Sequence, residues 1–341
     1  MNDIFSSLTT KKEQLDTLRP LSVDQLIAVN DWLDIEYTYT SNWIEGNTLT
    51  RQETALILEK GITIEGKSLR EHLEAINHLK AINFIRSVVV NGHQFVTEDT
   101  IRDIHRIILA GINDTWAGNY RQAQVFIRGA SVEPPKASDV PIKMMELMEW
   151  LQGIQGEHPV KIASDFHFRF VEIHPFMDGN GRTARLLSNL ILLGHGYPMM
   201  IIKTNERKVY MDAIEKGTLT HDLTDFYTVL SQAVERSLNA FIALAHGKSV
   251  TAFYIDQEKG GDKKQVFIGK IAKLTNVSIP TIRHYMAMGL VKPYKKSKGG
   301  FLMFDIRTVD TIRRIKVLQE EKRMSLIEIR DWLKKELDNT L

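Results

Sequence analysis

The sequence predicts a mainly helical fold in two parts, and three observations carry that expectation. Apolar residues recur at helical spacing along much of the chain from residue 22 onward. A glycine-flanked asparagine, Gly179-Asn180-Gly181, leads through Arg182 into the apolar run Leu186, Leu187, Leu190, Ile191 and Leu192, a turn opening onto a core helix. Farther on, FIGKIAKLTNVSIPTIRHYMAMGLVKP is a compact helix-turn-helix pattern. A length of 341 residues suits two or three domains that each bury a core, and 43% hydrophobic with 25% charged residues is an ordinary globular composition.

Taken in order, residues 22 to 90 read as helices, with Leu26, Val29 and Leu33 on one apolar face and Leu69, Leu73, Ile76 and Phe84 on another. Between them lies TSNWIEGNTLTRQE, where Ser41 and Glu45 share a helical face and Gly46 can end the turn. TEDTIRDIHRIILA, residues 97 to 110, is a helix capped by Thr97 with acids in its first turn. Gln124 to Arg128, including Val125, Phe126 and Ile127, turns strand-like before Gly129 and Pro134-Pro135 end regular structure. Helices over 140 to 155 and 160 to 173 follow, with His167 and Phe170 packing or capping in the core, and Gly194 and Gly196 stop the helix that comes after the glycine turn.

Zero cysteines exclude disulfides and thiolate metal sites. The start, MNDIFSSLTTKKEQ, has no secretory pattern, and LLSNLILLGHGYPMMII is broken by polar residues, glycines and a proline, so a cytoplasmic protein without a membrane partner is expected. The net charge of +2 conceals an asymmetry: from Gln265 onward there are 16 Lys/Arg against 8 Asp/Glu, which leaves the preceding part acidic. Such a split suggests that the C-terminal part meets a polyanion.

Residues 171 to 185, VEIHPFMDGNGRTAR, concentrate the chemistry. Gly179 and Gly181 can curl backbone N–H groups into an anion nest around Asn180, and the helix starting near Arg182 adds free N–H groups and its positive dipole end. Arg182 and Arg185 can clamp remaining phosphate oxygens, Asp178 can hold Mg²⁺ between phosphates, and His174 can take a proton near neutral pH. A lone Gly-Asn-Gly is more simply a turn capping a core helix; the added histidine, acid and arginines favour a phosphate site.

His174-Pro-Phe-Met-Asp-Gly-Asn-Gly-Arg-Thr-Ala-Arg185 resembles, position for position, the HxFx(D/E)GNGRxxR signature of the Fic/DOC family. The resemblance implies a Fic-type helical bundle with a β-hairpin flap at Val125 to Ile127. It also implies transfer of AMP from ATP to a hydroxyl, with His174 as base, Asp178 as metal ligand, Gly179 to Gly181 as nest, and Arg182 and Arg185 on phosphates. Tyr210 matches a position that such proteins often set against base or ribose, while the asparagine some members carry has no clear counterpart near Thr218. Ser41-Asn-Trp-Ile-Glu45-Gly46 resembles the family's (S/T)xxxE(G/N) inhibitory motif, whose carboxylate would compete, as a bidentate partner, for the guanidinium of Arg185.

In the basic segment, Ile271, Ala272 and Leu274 form the first apolar stripe, Asn276-Val277-Ser278 the turn and N-cap, and Thr281 to Met288 a second helix offering Thr281, Arg283, His284 and Tyr285 to a groove. Lys292, Lys295, Lys296 and Lys298 surround a Gly299-Gly300 hairpin tip suited to phosphates. Residues 266 to 337 resemble the MerR-type winged helix-turn-helix, down to Ser325-Leu326-Ile327-Glu328-Ile329-Arg330, although the wing has Leu302 and Phe304 where arginine and tyrosine are usual. The long dimerisation helix of that family is also lacking here, so DNA binding requires a dimer surface elsewhere and a homodimer is expected.

The expected layout is residues 1–95 as an N-terminal helical region with the inhibitory motif, 96–245 as catalytic core, 246–264 as linker and 265–341 as the winged domain. The expected function is an autoinhibited protein adenylyltransferase using ATP and Mg²⁺ on Ser, Thr or Tyr hydroxyls of a target protein or itself, associated with DNA. The alternatives are a DNA-binding transcriptional regulator whose Fic domain senses ATP, and an enzyme that removes AMP with the help of Glu45.

Overall fold

A computed structural model of the protein describes residues 2–90, 96–126, 132–248, 250–254, 265–275, 277–293, 295–296, 302–305, 308–320 and 323–338. The chain forms two compact units, Met1–Asp256 and Gln257–Leu341. As expected, both are mainly helical.

The first unit comprises α1 (Asn2–Thr17), α2 (Val23–Ile44), α3 (Arg51–Lys60), α4 (Leu69–Val90), α5 (Glu98–Leu109), α6 (Val140–Gly153), α7 (Pro159–Ile173), α8 (Asn180–Gly194), α9 (Arg207–Thr220), α10 (Thr224–Ala245) and α11 (Thr251–Tyr254). Helix α8 is the axle. Its run from Arg182 to Leu192 is buried throughout, packed against α2, α4, α5 and α7, because an all-round apolar helix must be covered on every side. Two of its polar residues are paired with nearby backbone: the Asn189 amide exchanges hydrogen bonds of 2.8 and 3.0 Å with the Met200 backbone, and the Ser188 hydroxyl donates to Ala184 O at 2.9 Å. Helix α5 turns Ile101, Ile104, His105, Ile108 and Leu109 inward, and Thr97 caps it by accepting from Thr100 N.

Three expectations about this unit are corrected. In α4 the buried residues are His72, Ala75, Asn77, His78, Ala81, Ile82 and Ile85; of the expected face Ile76 and Phe84 pack partly buried, while Leu69 is 73% exposed. The flap hairpin is absent among the described residues: Val125 and Phe126 lie in irregular backbone and Phe126 is 75% exposed, while Ile127 lies outside the described residues. A strand needs a partner for its N–H and C=O rows, and none is in place among the described residues. Instead Arg121 ties the segment's ends together, donating to Ala123 O at 3.3 Å and to Pro135 O, and it anchors both to His174 O at 2.8 Å. Finally, the expected linker starts too early. Val250 and Tyr254 belong to the core, with the Tyr254 hydroxyl donating to Ser237 Oγ at 2.9 Å.

Among its described residues the second unit is a three-stranded sheet with four helices. Strand β1 (Gln265–Phe267) leads into α12 (Ile268–Thr275) and α13 (Ile279–Ala287), then come β2 (Lys295–Lys296), β3 (Leu302–Asp305), α14 (Thr308–Glu320) and α15 (Leu326–Asp338). Strand β3 lies between the other two in antiparallel register, with Val266 opposite Phe304 and Lys296 opposite Leu302. Ser278 caps α13 as expected, accepting from Thr281 N at 3.2 Å. Two residues depart from expectation: Leu274 is exposed, and Tyr285 is buried with its hydroxyl donating to Gln319 at 3.0 Å, so Tyr285 is core and not groove surface. The ring serves the cluster formed by Ile271, Ile282, Phe304 and Ile312. Lys298 and the Gly299-Gly300 tip lie outside the described residues.

Candidate nucleotide site

The loop between α7 and α8 is shaped at both ends by backbone turns. His174 ends α7 with φ 49, a left-handed conformation rare for a residue with a Cβ, and Gly179 opens α8 with φ 78. Asn180 braces the curve between them: its Oδ1 accepts from Phe176 N at 2.9 Å and its Nδ2 donates to Phe176 O at 2.8 Å. The Asn180 side chain therefore braces the loop.

His174 faces a cleft of about 720 Å³ together with Glu45, Gly181 and Arg185. Its Nδ1 lies 3.4 Å from Val171 O, and a carbonyl can only accept, so Nδ1 carries the proton and Nε2 the lone pair. Burial, aided by Arg121, outweighs that bond and holds the imidazole below its ordinary pKa, keeping it neutral at pH 7.

Arg185 meets the segment predicted to oppose it. It is 2% exposed and donates from Nε to Ser41 Oγ at 3.0 Å, from Nη2 to Ser41 O at 2.9 Å, and from Nη2 to Glu45 Oε1 at 2.8 Å. The contact to Glu45 uses one carboxylate oxygen; the two-pronged partner is Ser41. Burial alone would lower the Arg185 pKa, but Glu45 and the surrounding groups raise it. The Glu45 carboxylate also fills the hollow above Gly181, where an added Cβ would stand 2.3 Å from Oε1. That cradle, at the first turn of a helix, is shaped for an anion.

Asp178 accepts from Gly179 N at 2.6 Å and from Arg70 Nη2 at 2.5 Å, with Arg182 3.7 Å away. Burial pushes its carboxyl up, and Arg182, the Gly179 N–H and Arg70 together hold it below the usual range. Arg182 is buried beside Glu74 at 3.3 Å, and its Nε has no hydrogen-bond partner among the described residues. Arg182 and Arg185 thus diverge, each toward its own carboxylate. No cluster of three or more metal-ligating side chains occurs among the described residues. A lone carboxylate nevertheless fits Mg²⁺ shared with phosphate oxygens and water, since that ion keeps most of its shell.

Tyr210 is buried at the rim of the cleft with its hydroxyl 2.8 Å from His167 Nε2, and His167 Nδ1 reaches Ser188 Oγ at 2.9 Å. His167 is a core histidine, as expected. Thr218 lines the cleft, but its hydroxyl donates to Ile214 O at 3.1 Å. Sequence reasoning missed three supports of the loop: Arg70, Arg121 and His105. His105 accepts from Gly118 N at 2.9 Å, donates to Asp178 O at 2.9 Å and stacks on Phe176 at 3.6 Å. A histidine on the inward face of an amphipathic helix was the one available signal.

A neutral imidazole and the hollow above Gly181 thus lie together at one end of a helix buried at the centre of a helical bundle. The chain belongs to the Fic/DOC family, whose model matches residues 95–192. The crystal structure of a Fic domain containing signaling protein from Bacteroides thetaiotaomicron is 31% identical with a TM-score of 0.65, covering 72% of this chain and 99% of that one. A fragment of Fic-1 from C. elegans is 29% identical with a TM-score of 0.64, covering 72% and 73%. The protein adenylyltransferase Fic of Aedes aegypti is 37% identical over 61% of this chain and 42% of its own, and that of Nematostella vectensis 32% over 71% and 56%. The chain spans about half the length of these curated relatives. Residues 267–336 match the model of the MerR HTH family regulatory proteins.

Burial lowers the pKa of His105 to about 4 and of His167 to about 3, and that of His78 well below its usual value. The unfolded chain then binds more protons than the folded one below about pH 6.5, so stability falls as pH drops from there toward 4. The urea midpoint of the first unit, followed by tryptophan fluorescence, should decline over that range. Each histidine contributes up to about 1.4 kcal/mol per pH unit, and His167→Gln should remove one such share of the slope.

Proposed function

We propose that the protein is an autoinhibited protein adenylyltransferase that transfers AMP from ATP to a Ser, Thr or Tyr hydroxyl of a target protein or of itself. The observation that carries this reading is the Glu45–Arg185 ion pair lying across the Gly181 cradle, between segments 140 residues apart in sequence. Triphosphate oxygens would rest on the N–H groups around Gly179 to Gly181, with Arg185 on the terminal phosphate and Arg182 adding positive charge behind the loop. His174 Nε2 would take the hydroxyl proton as the oxygen attacks the α-phosphorus. The bond from that phosphorus to the bridging oxygen breaks, and pyrophosphate leaves. Magnesium held at Asp178 would offset charge on the phosphate oxygens. The exposed backbone around Val125 and Phe126 would align a target by strand addition.

Two further roles have specific support. The Glu45 side chain is 38% exposed and holds Arg185 through Oε1, which suits the carboxylate to orient water for removing AMP. The second unit exposes Lys270, Arg283, His284 and Lys292, which favours DNA as a partner, held by a homodimer.

With labelled ATP, Glu45→Gly should label itself or a target about tenfold or more above wild type, the scale of one lost charge-assisted bond. His174→Ala should abolish labelling; if Glu45→Gly gives no more than His174→Ala, the transferase reading is wrong. Activity of Glu45→Gly should fall on acidification as the base protonates, with a midpoint below the ordinary 6.5 because burial lowers the His174 pKa. For the DNA role, retention on duplex DNA should weaken with salt, and Arg283→Ala should weaken it further.

A further inference from the structure

Asp178 is held by a residue that no part of the loop contains. Arg70, in the first turn of α4, donates from Nη2 to Asp178 Oδ2 at 2.5 Å and from Nε to Glu74 Oε1 at 3.1 Å. The other Asp178 oxygen takes the Gly179 N–H at 2.6 Å. Each oxygen thus already accepts one hydrogen bond, so an incoming cation competes with a donor for the carboxylate's charge. Gly179 N cannot leave, because its left-handed backbone starts α8. Arg70 can: its side chain is 55% exposed, and Glu74 would keep its charge paired after release.

We propose that Arg70 is a built-in competitor for the divalent cation, occupying the Asp178 oxygen that the ion needs and setting how much of it the site requires. The inference rests on the reading of Asp178 as the metal carboxylate. The guanidinium acts in two ways, by hydrogen-bonding the ligand oxygen and by repelling a second positive charge brought within a few ångströms of it. An exposed pair of this kind is weak enough to be displaced at ordinary cation concentrations, yet strong enough to register in the affinity. Glu74 extends the consequence toward the inhibitory segment, since its second oxygen accepts from Asn47 Nδ2 at 2.9 Å, two residues beyond Glu45.

The test uses the full chain and Mn²⁺ alone, read by paramagnetic broadening of the Gly179 amide resonance, a readout independent of activity. Arg70→Gln should lower the Mn²⁺ concentration for half-broadening about fivefold, the equivalent of one exposed ion pair. Asp178→Asn should abolish the broadening, and an unchanged amide spectrum elsewhere confirms that both variants fold. An unchanged or higher midpoint in Arg70→Gln, with the Asp178→Asn loss intact, overturns the competition and leaves the metal assignment standing. Broadening that survives Asp178→Asn places the ion elsewhere and overturns both.

Discussion

The structure depends on how it accommodates Arg185, a permanent cation in the buried core of the first unit. A guanidinium removed from water costs several kcal/mol unless its donors are matched. Here Ser41 supplies a hydroxyl and a carbonyl, and Glu45 supplies the charge. Helix α2 is therefore held against α8 by a requirement of the fold. The same contact that satisfies the arginine closes the cradle above Gly181. On the proposed reading, a triphosphate would have to offer Arg185 at least as good a partner before Glu45 could let go.

Around that contact the loop is rigid by construction. His174 and Gly179 take left-handed turns, the Asn180 amide spans the curve, and His105 joins Asp178 O to the Gly118 N–H. His105 can do this only as the neutral tautomer, because Nδ1 must accept while Nε2 donates. Arg121 extends the frame by tying His174 O to both ends of the segment that carries Val125 and Phe126. On the proposed reading, a base, a cradle and a target-aligning edge would thereby be fixed to one another through backbone carbonyls, with the precision that in-line transfer demands.

Much of this was legible because it is local. The cap residues Thr97 and Ser278, the helix stops at Gly194 and Gly196, and the order of groups from His174 to Arg185 are all encoded within a few residues of where they act. The inward face of α4 was not legible, since that helix has apolar residues on several sides and periodicity offers little contrast; His72 and His78 lie inside while Leu69 lies out. Distant partners were equally hidden. Nothing near Arg70 announces a carboxylate 108 positions away, and nothing near Tyr285 announces Gln319, the partner of its buried hydroxyl. The flap residues read as a strand because Gln-Val-Phe-Ile favours extended backbone, yet extended backbone becomes a sheet only beside a second edge.

The central claim is that Glu45 and a triphosphate compete for one guanidinium. A double-mutant cycle on the affinity for a non-hydrolysable ATP analogue, measured calorimetrically for wild type, Glu45→Gln, Arg185→Ala and the double variant, addresses it most directly. The account predicts that Glu45→Gln tightens binding by about tenfold, the scale of one charge-assisted bond, and that this gain vanishes when Arg185 is alanine. A gain of equal size in the Arg185→Ala background would contradict it.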